Sequence, residues 1–412
     1  MQAPDWRVCI SRRPAAVLIS GGETLGVLAA VRALRSAGHE PWVAVHDRTA
    51  YAARSLAAAG VVTVPDPAQD ERGFVRALAQ AASRIPASIV LPGTETALVA
   101  LARHTRCFPK ETVVGVCSTS IVDKATDKEL LADLAADVGL TVPRTIVVRL
   151  DDLPHDLPVE YPLVVKPPRS DLKGLNGASH HYTARRVDTP EELREAVGAF
   201  PGGRALVQRY LAGPLGSLAG VIWNGRMVRV VQSRADRIWP RYCGSMTSAV
   251  TVPLDRALCE KIEKLLTGIA WNGLFQVDFV EHTDQSFLID LNPRMYTSLA
   301  ITTRAGVNLP AVWVELLQSG DPGQDLQYAA GVWYRHDEDD IRALVDMLFR
   351  GPRLAALRGF IPRRKTVHTV FSVRDPLPLL TTLGKIARAA MSYVSSGAGA
   401  PRNRDGARIE MG

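Results

Sequence analysis

Two apolar runs late in the chain are interrupted by acids. Phe275-Gln276-Val277-Asp278-Phe279-Val280 is followed, after a polar turn, by Phe287-Leu288-Ile289-Asp290-Leu291-Asn292-Pro293-Arg294. Side chains alternate along a strand. Asp290 and Asn292 therefore share one face, with Phe287, Ile289 and Leu291 on the other. A hairpin folded about Asp284 brings Asp278 across from Asp290, because each lies six residues from that centre. Two carboxylates and an amide oxygen then meet. Adjacent carboxylates raise each other's pKa, and a divalent cation relieves the conflict. Oxygen-only ligands select a hard ion such as Mg²⁺ or Mn²⁺, with phosphate oxygens completing the shell. Arg294 adds a planar cation suited to phosphate or carboxylate. Asp-x-Asn alone would equally fit an exposed polar face. The apolar setting and the Pro-Arg that follows favour the metal reading.

Lys166 closes another apolar strand, Leu163-Val164-Val165. A rigid exit, Pro167-Pro168, leads from it into a polar loop containing Gly174 and Gly177. Such a loop can close over phosphates with its backbone N–H groups. Lys124 is a candidate second cation, with a solvated residue near a helix start as the alternative. At the other end of the chain, Gly21-Gly22-Glu23-Thr24-Leu25-Gly26 has the GxxxxG spacing of a P-loop but lacks its Lys-Ser/Thr. Gly22 and Glu23 are candidates to hold a substrate carboxylate at a helix N-terminus. A purely structural turn is the alternative.

These residues need positioning elements. Val17-Leu18-Ile19, then a helical pattern from Leu25 to Ala37, then Pro41 to Val45, Ile89 to Leu91 and Val113 to Val116, read as alternating strands and helices. That order implies a parallel sheet with crossover helices. From Asp123 the texture changes. Thr126 and Glu129 have capping-box spacing, and Leu130, Leu134 and Val138 form one helical face that Gly139 ends. Strands follow at 145–148, 162–166, 205–208, 218–223, 227–232, 275–281 and 287–291, with Asn224-Gly225 as a two-residue hairpin turn. A strand at Gly331 to Tyr334 and an amphipathic helix at Asp337 to Phe349 come next. The last dozen or so residues, rich in Gly, Ala, Pro and Arg, read as disordered.

The bulk numbers narrow the class. In 412 residues, 47% are hydrophobic and 22% charged, as in a globular protein with a substantial core. No apolar stretch is long enough to cross a membrane, and no secretory signal is legible. The five cysteines form no CxxC pair, which fits a reducing cytoplasm rather than a disulfide framework. The net charge of +7 comes without a basic run interleaved with aromatics, so nucleic acid is not an expected partner.

Taken in order, the motifs resemble the ATP-grasp superfamily. They are Asp123-Lys124, Val165-Lys166 with its glycine loop, Val207-Gln208-Arg209-Tyr210-Leu211, Val277-Asp278-Phe279 and Asp290-Leu291-Asn292-Pro293-Arg294. The last looks like the superfamily's Glu-x-Asn-Pro-Arg with Asp for Glu. The resemblance implies a Rossmann-like α/β domain at 1–120. An α+β two-lobed ATP-grasp domain follows at 121–325, with lobes at about 140–210 and 211–325. A C-terminal extension occupies 326–412, its tail disordered from about 398. It also implies ATP and Mg²⁺ (or Mn²⁺) as cofactors. Lys124, Lys166, Gly174 and Gly177 would hold phosphates, and Gln208, Arg209, Tyr210 and Leu211 would line the adenine site. Asp278, Asp290 and Asn292 would hold the metal, and Arg294 and Lys166 would act in catalysis. The adenine segment lacks the acids common there, so Glu-type ribose contacts do not transfer.

Within the superfamily the chain looks similar to stand-alone carboxylate–amine ligases, the group of D-aspartate and dipeptide ligases. The arginine-rich stretch from Gly225 to Ser245 supports this, with Arg237, Arg241 and Ser245 as candidates to face the substrate and a solvated loop as the alternative. Cys243 reads as a small pocket-lining residue. The expected reaction is cytoplasmic. ATP activates a small carboxylate as an acyl phosphate, and an amine captures it, giving ADP and phosphate. A homodimer is left open. The rivals are a carboxylase-type enzyme with another acceptor, a non-catalytic ATP-binding regulator, and membrane association through the basic C-terminal region.

Overall fold

The computed structural model describes residues 14–154, 157–169, 171–173, 179–361 and 363–385, with backbone alone for 171–173 and 179–181. Gly174, Gly177 and the tail beyond 385 lie outside the described residues.

The chain begins with β1 (Ala16–Ser20), α1 (Leu25–Ser36), β2 (Glu40–Val45), β3 (Gly60–Thr63), α2 (Glu71–Arg84), β4 (Ile89–Leu91), α3 (Glu95–Arg103) and β5 (Val113–Val114). The strands form one parallel sheet in the order β3-β2-β1-β4-β5. This is the Rossmann-like arrangement that the alternating pattern implies. Thr24 caps α1 by accepting from the Val27 N–H. Gly26 lies where a Cβ would stand 2.7 Å from the Tyr296 carbonyl oxygen, so α1 packs closely on the segment that follows Asn292-Pro293-Arg294.

Next come α4 (Thr119–Thr126), α5 (Lys128–Asp137), β6 (Thr145–Arg149), β7 (Leu163–Lys166), β8 (Asp171–Lys173), β9 (Ser179–His181), β10 (Arg185–Val187), α6 (Pro190–Gly198) and β11 (Arg204–Arg209). The α5 cap differs from the expected one. Asp127, not Thr126, accepts from the Glu129 and Leu130 N–H groups, while the Thr126 hydroxyl donates back to the Val122 carbonyl. The α5 face that packs inward is accordingly Leu131 and Ala135, with Leu134 and Val138 at its edge. Strands β10, β7, β11 and β6 form a small antiparallel sheet over α6, with its own apolar core around Leu163, Val165, Val197 and Val207. This small lobe meets the rest of the molecule largely through charge. Arg169 pairs with Asp123 at 3.2 Å, Arg204 with Glu129 at 2.6 Å, and the Lys166 ammonium donates to the Ile289 carbonyl at 2.9 Å.

The remainder comprises β12 (Leu215–Trp223), β13 (Arg226–Trp239), β14 (Ser245–Thr251), α7 (Arg256–Gly268), β15 (Gly273–His282), β16 (Gln285–Asn292), α8 (Ala300–Arg304), α9 (Leu309–Leu317), β17 (Trp333–Arg335), α10 (Asp337–Arg350), α11 (Arg353–Gly359) and β18 (Thr366–His368). One seven-stranded sheet runs β16-β15-β12-β13-β14-β17-β18. Asn224 and Gly225 turn β12 into β13, both with the positive φ that such a hairpin demands. β12 is apolar on both faces because helices cover both. Leu218 and Ile222 pack toward α5 and α7, whereas Ala219 and Val221 pack toward α1 and α9. The first parallel sheet and this large sheet therefore share one core.

The C-terminal segment fastens the two together. Arg32 on α1 donates to Asp375 and to the carbonyls of Thr369 and Val370, and Asp375 also accepts from Ser55 and the Leu56 N–H.

Candidate active site

A cleft of about 310 Å³ lies between β7 and β11 of the small lobe and the β15–β16 hairpin. Its size suits a small-molecule ligand. The hairpin supplies the floor. Phe275, Val277 and Phe279 enter the core beneath, which leaves Gln276, Asp278 and Val280 facing the cleft.

The hairpin register brings Asp278 opposite Asp290, but not by the expected geometry. The turn has two residues, Thr283 and Asp284, both at positive φ, and His282 pairs with Gln285. Continued evenly, that register would set Asp290 against Val277 and bury it. A β-bulge at Ile289 restores the pairing. It also changes the apolar face, so that Leu288 and Leu291 enter the core while Ile289 lines the cleft beside Asp290. The expected apolar set of Phe287, Ile289 and Leu291 is thus corrected by one inserted residue. The Ile289 carbonyl, skipped by the ladder, accepts from Lys166.

The charges form a chain. The Asn292 amide donates to Asp278 at 3.1 Å, and its oxygen accepts from Arg294 at 3.1 Å. Arg294 also donates to the Met295 carbonyl at 2.8 Å. The Lys128 ammonium pairs with Asp290. Burial, then the neighbouring Asp290, push the Asp278 carboxyl up to about 7. Burial alone would also raise Asp290, but Lys128 and Lys166 outweigh it and hold that carboxyl below the usual range. Burial and then Lys128 bring Lys166 down to about 8. Two carboxylates in such conflict, with an amide oxygen beside them, suit a divalent cation whose other ligands come from a bound phosphate. Among the described residues no group of three His, Cys, Asp or Glu side chains could hold a metal by itself.

Gln208, Arg209, Tyr210 and Leu211 line the cleft at the lobe junction, and Ser245 lines it from the large sheet. Gln208 donates to the Thr145 hydroxyl at 2.6 Å, and the Tyr210 N–H donates to the Pro162 carbonyl. Cys243 also lines the cleft, its thiol pushed up to about 11 by burial, as befits a wall residue rather than a nucleophile.

Other expected residues lie elsewhere. Lys124 is exposed on α4 and does not line the cleft. Gly22 is wedged against Val43 and Val45, and the Glu23 carboxylate accepts from the His46 and Asp47 N–H groups. Neither lines the cleft. Arg237 is bound to Asp340 and Asp236, and Arg241 to Asp346. These arginines brace β13 and its following loop against α10 instead of facing the cleft.

The cleft-lining residues that the sequence does not single out are Lys128, Gln276 and Ser298. The chain has two Asp-Lys pairs, and the second, Asp127-Lys128, opens α5 and points to the site. Gln276 donates to Ser298 at 3.2 Å, both buried at the inner end of the cleft. Arg186, outside the cleft lining, packs over the rings of Tyr210 and Tyr242, which do line it, at 4.8 and 4.3 Å. A discriminating pair of variants follows. Lys128→Met is expected to lower ATP-dependent turnover at least about a hundredfold, and Lys124→Met to leave it within about twofold. Steady-state ADP formation measures both, and equal losses would return Lys124 to the site.

Comparison with known proteins bears on the fold. Residues 203–338 match the family model described as ATP-grasp in the biosynthetic pathway with Ter operon. The chain is 20% identical over 192 residues to the carbamoyl phosphate synthase large chain, C-terminal section, of Aquifex aeolicus (strain VF5), and spans 35% of that relative's length. A solved L-amino acid ligase from Bacillus licheniformis superposes with a TM-score of 0.58 at 16% identity, over 75% of each chain. An ADP complex of the N5-carboxyaminoimidazole ribonucleotide synthetase purK gives 0.61 at 12% identity, covering 93% of this chain and 100% of that one. The biotin carboxylase domain of the Hydrogenobacter thermophilus 2-oxoglutarate carboxylase gives 0.58 at 14%, over 78% and 74%. Residues 203–338 match an ATP-grasp family model, and the chain as a whole has the ATP-grasp fold.

Proposed function

We propose that this chain is an ATP-dependent ligase that activates a carboxylate as an acyl phosphate and joins it to an amine, releasing ADP and phosphate. The observation that carries the reading is the convergence of Lys128, Lys166, Asp278, Asp290, Asn292 and Arg294 on one cleft. Phosphoryl transfer needs little covalent chemistry from the protein beyond positioning and charge.

Lys166 and Lys128 would engage the phosphates, and Gln208 to Leu211 would flank the base. Asp278, Asp290 and the Asn292 oxygen would hold Mg²⁺ (or Mn²⁺), which when bound balances the phosphate charge. Arg294 would steady the carboxylate and the acyl phosphate formed from it, since its fork matches either group. The buried Gln276–Ser298 pair would border the acceptor end of the cleft. A closed small lobe would keep water from the acyl phosphate.

The test is phosphate release over amino acids, dipeptides and hydroxy acids offered with and without amines, plus a bicarbonate arm. ADP formation that requires both a carboxylate and an amine, with a product mass equal to their sum less water, is the expected result. Turnover with bicarbonate and no amide product would move the chain to a carboxylating reaction. Mg-ATP binding with no ADP across the panel would make it a regulator.

A further inference from the structure

We infer that the α10–α11 hairpin docks on an anionic lipid surface, with apolar side chains entering the headgroup layer and arginines holding the lipid phosphates. The inference is independent of the reaction in the cleft.

α10 buries Asp340, Ala343 and Leu344 and leaves Ile341, Val345 and Phe349 outward at i, i+4 and i+8. α11 packs back on α10 where Gly359 meets Leu344, and leaves Leu354 and Leu357 exposed at i and i+3, with Ile361 exposed just past its end. Phe349 is 80% exposed, Leu354 73% and Ile361 62%.

Charge chooses the partner. The five acids of α10, Asp337, Glu338, Asp339, Asp340 and Asp346, are each bound within the protein, to His368, Tyr51, Arg342, Arg237 and Arg241 respectively. From Met347 to Lys365 the chain then has six basic residues, Arg350, Arg353, Arg358, Arg363, Arg364 and Lys365, and no acid. The side chains of Arg353, Arg358, Arg364 and Lys365 are exposed and make no ion pair with any described residue. A second copy would set these bases against themselves. Residues 386–412 carry Arg388, Arg402, Arg404 and Arg408 against Asp405 and Glu410, so that segment repels the face as well. Exposed aliphatic and phenyl groups ringed by arginine match the chemistry of an interfacial helix on acidic lipid. Among the described residues no helix is long and apolar enough to cross a membrane, so the contact would be peripheral.

The experiment is sedimentation of the full chain with phosphatidylcholine vesicles containing about a third phosphatidylglycerol, against phosphatidylcholine alone. Roughly tenfold more protein is expected to pellet with the anionic vesicles. Phe349→Asp with Leu354→Asp, and separately Arg353→Glu with Arg358→Glu, are each expected to lose most of that difference. The four positions are exposed, so melting temperatures should stay within about 2 °C of the parent. Wild-type chain remaining in the supernatant would overturn the proposal, as would both double variants sedimenting like the parent. A dimer in light scattering that either double variant dissociates would assign the face to a second copy instead.

Discussion

Replacing Asp290 with alanine is expected to abolish ADP formation, by at least about a thousandfold, when a working carboxylate and amine are supplied. Asp290 sits opposite Asp278, accepts from Lys128, and lies on the cleft face only because of the Ile289 bulge. Its removal takes away one of the two carboxylates proposed to hold the metal and leaves Lys128 without its paired anion. Asp290→Asn keeps the shape and removes the charge. It also removes the second cause that lifts Asp278, so Asp278 should titrate lower in that variant. Initial rates of ADP release and the dependence of those rates on metal concentration measure the effect. Undiminished turnover in both variants would take the hairpin out of the reaction.

The second large effect lies away from the cleft. Asp340 is fully buried, accepting from Arg237 at 2.7 and 3.0 Å and from Thr247 at 3.3 Å, and forming an ion pair with Arg335 at 2.7 Å. Asp340→Ala leaves two arginines facing each other with their shared anion gone. Breaking a buried pair from one side costs about 3–5 kcal/mol. Urea unfolding should show a loss of that size, and Arg237→Ala a comparable one, with the KM of the carboxylate unchanged. If Arg237→Ala instead keeps its stability and raises that KM, the arginine belongs to the substrate after all.

Those two sites show which parts of the molecule were readable from residues alone. Asp278, Asp290 and Asn292 stand out because polar residues inside apolar strands break a local pattern with a period of two. The Ile289 bulge has no such signature. It was missed, and the correct Asp278–Asp290 pairing came from a turn centre displaced by half a residue. The Rossmann-like alternation was legible for the same local reason, since each strand and helix declares its own period. Arg237 and Arg241 were misplaced because their partners, Asp340 and Asp346, lie about a hundred residues further along. No spacing rule reaches that far. Lys124 and Lys128 are the intermediate case. Both sit in Asp-Lys pairs, and only the tertiary position of α5 beside β16 separates them.

The small lobe is held differently from everything around it. The parallel sheet and the large sheet share an apolar core and are tied by Asp375, whereas the small lobe keeps its own core. It touches its neighbours through Arg169, Arg204, Lys166 and the Arg186 that lies over Tyr242. Attractions between exposed charges are screened within about 10 Å at 0.1 M ionic strength, and apolar packing has no charge to screen. Salt therefore weakens the exposed Arg169–Asp123 and Arg204–Glu129 pairs at this joint, while the apolar core shared by the two sheets contains no such screened pair among the described residues. Raising the ionic strength is expected to loosen the small lobe's hold on α4 and α5 before it disturbs the shared core.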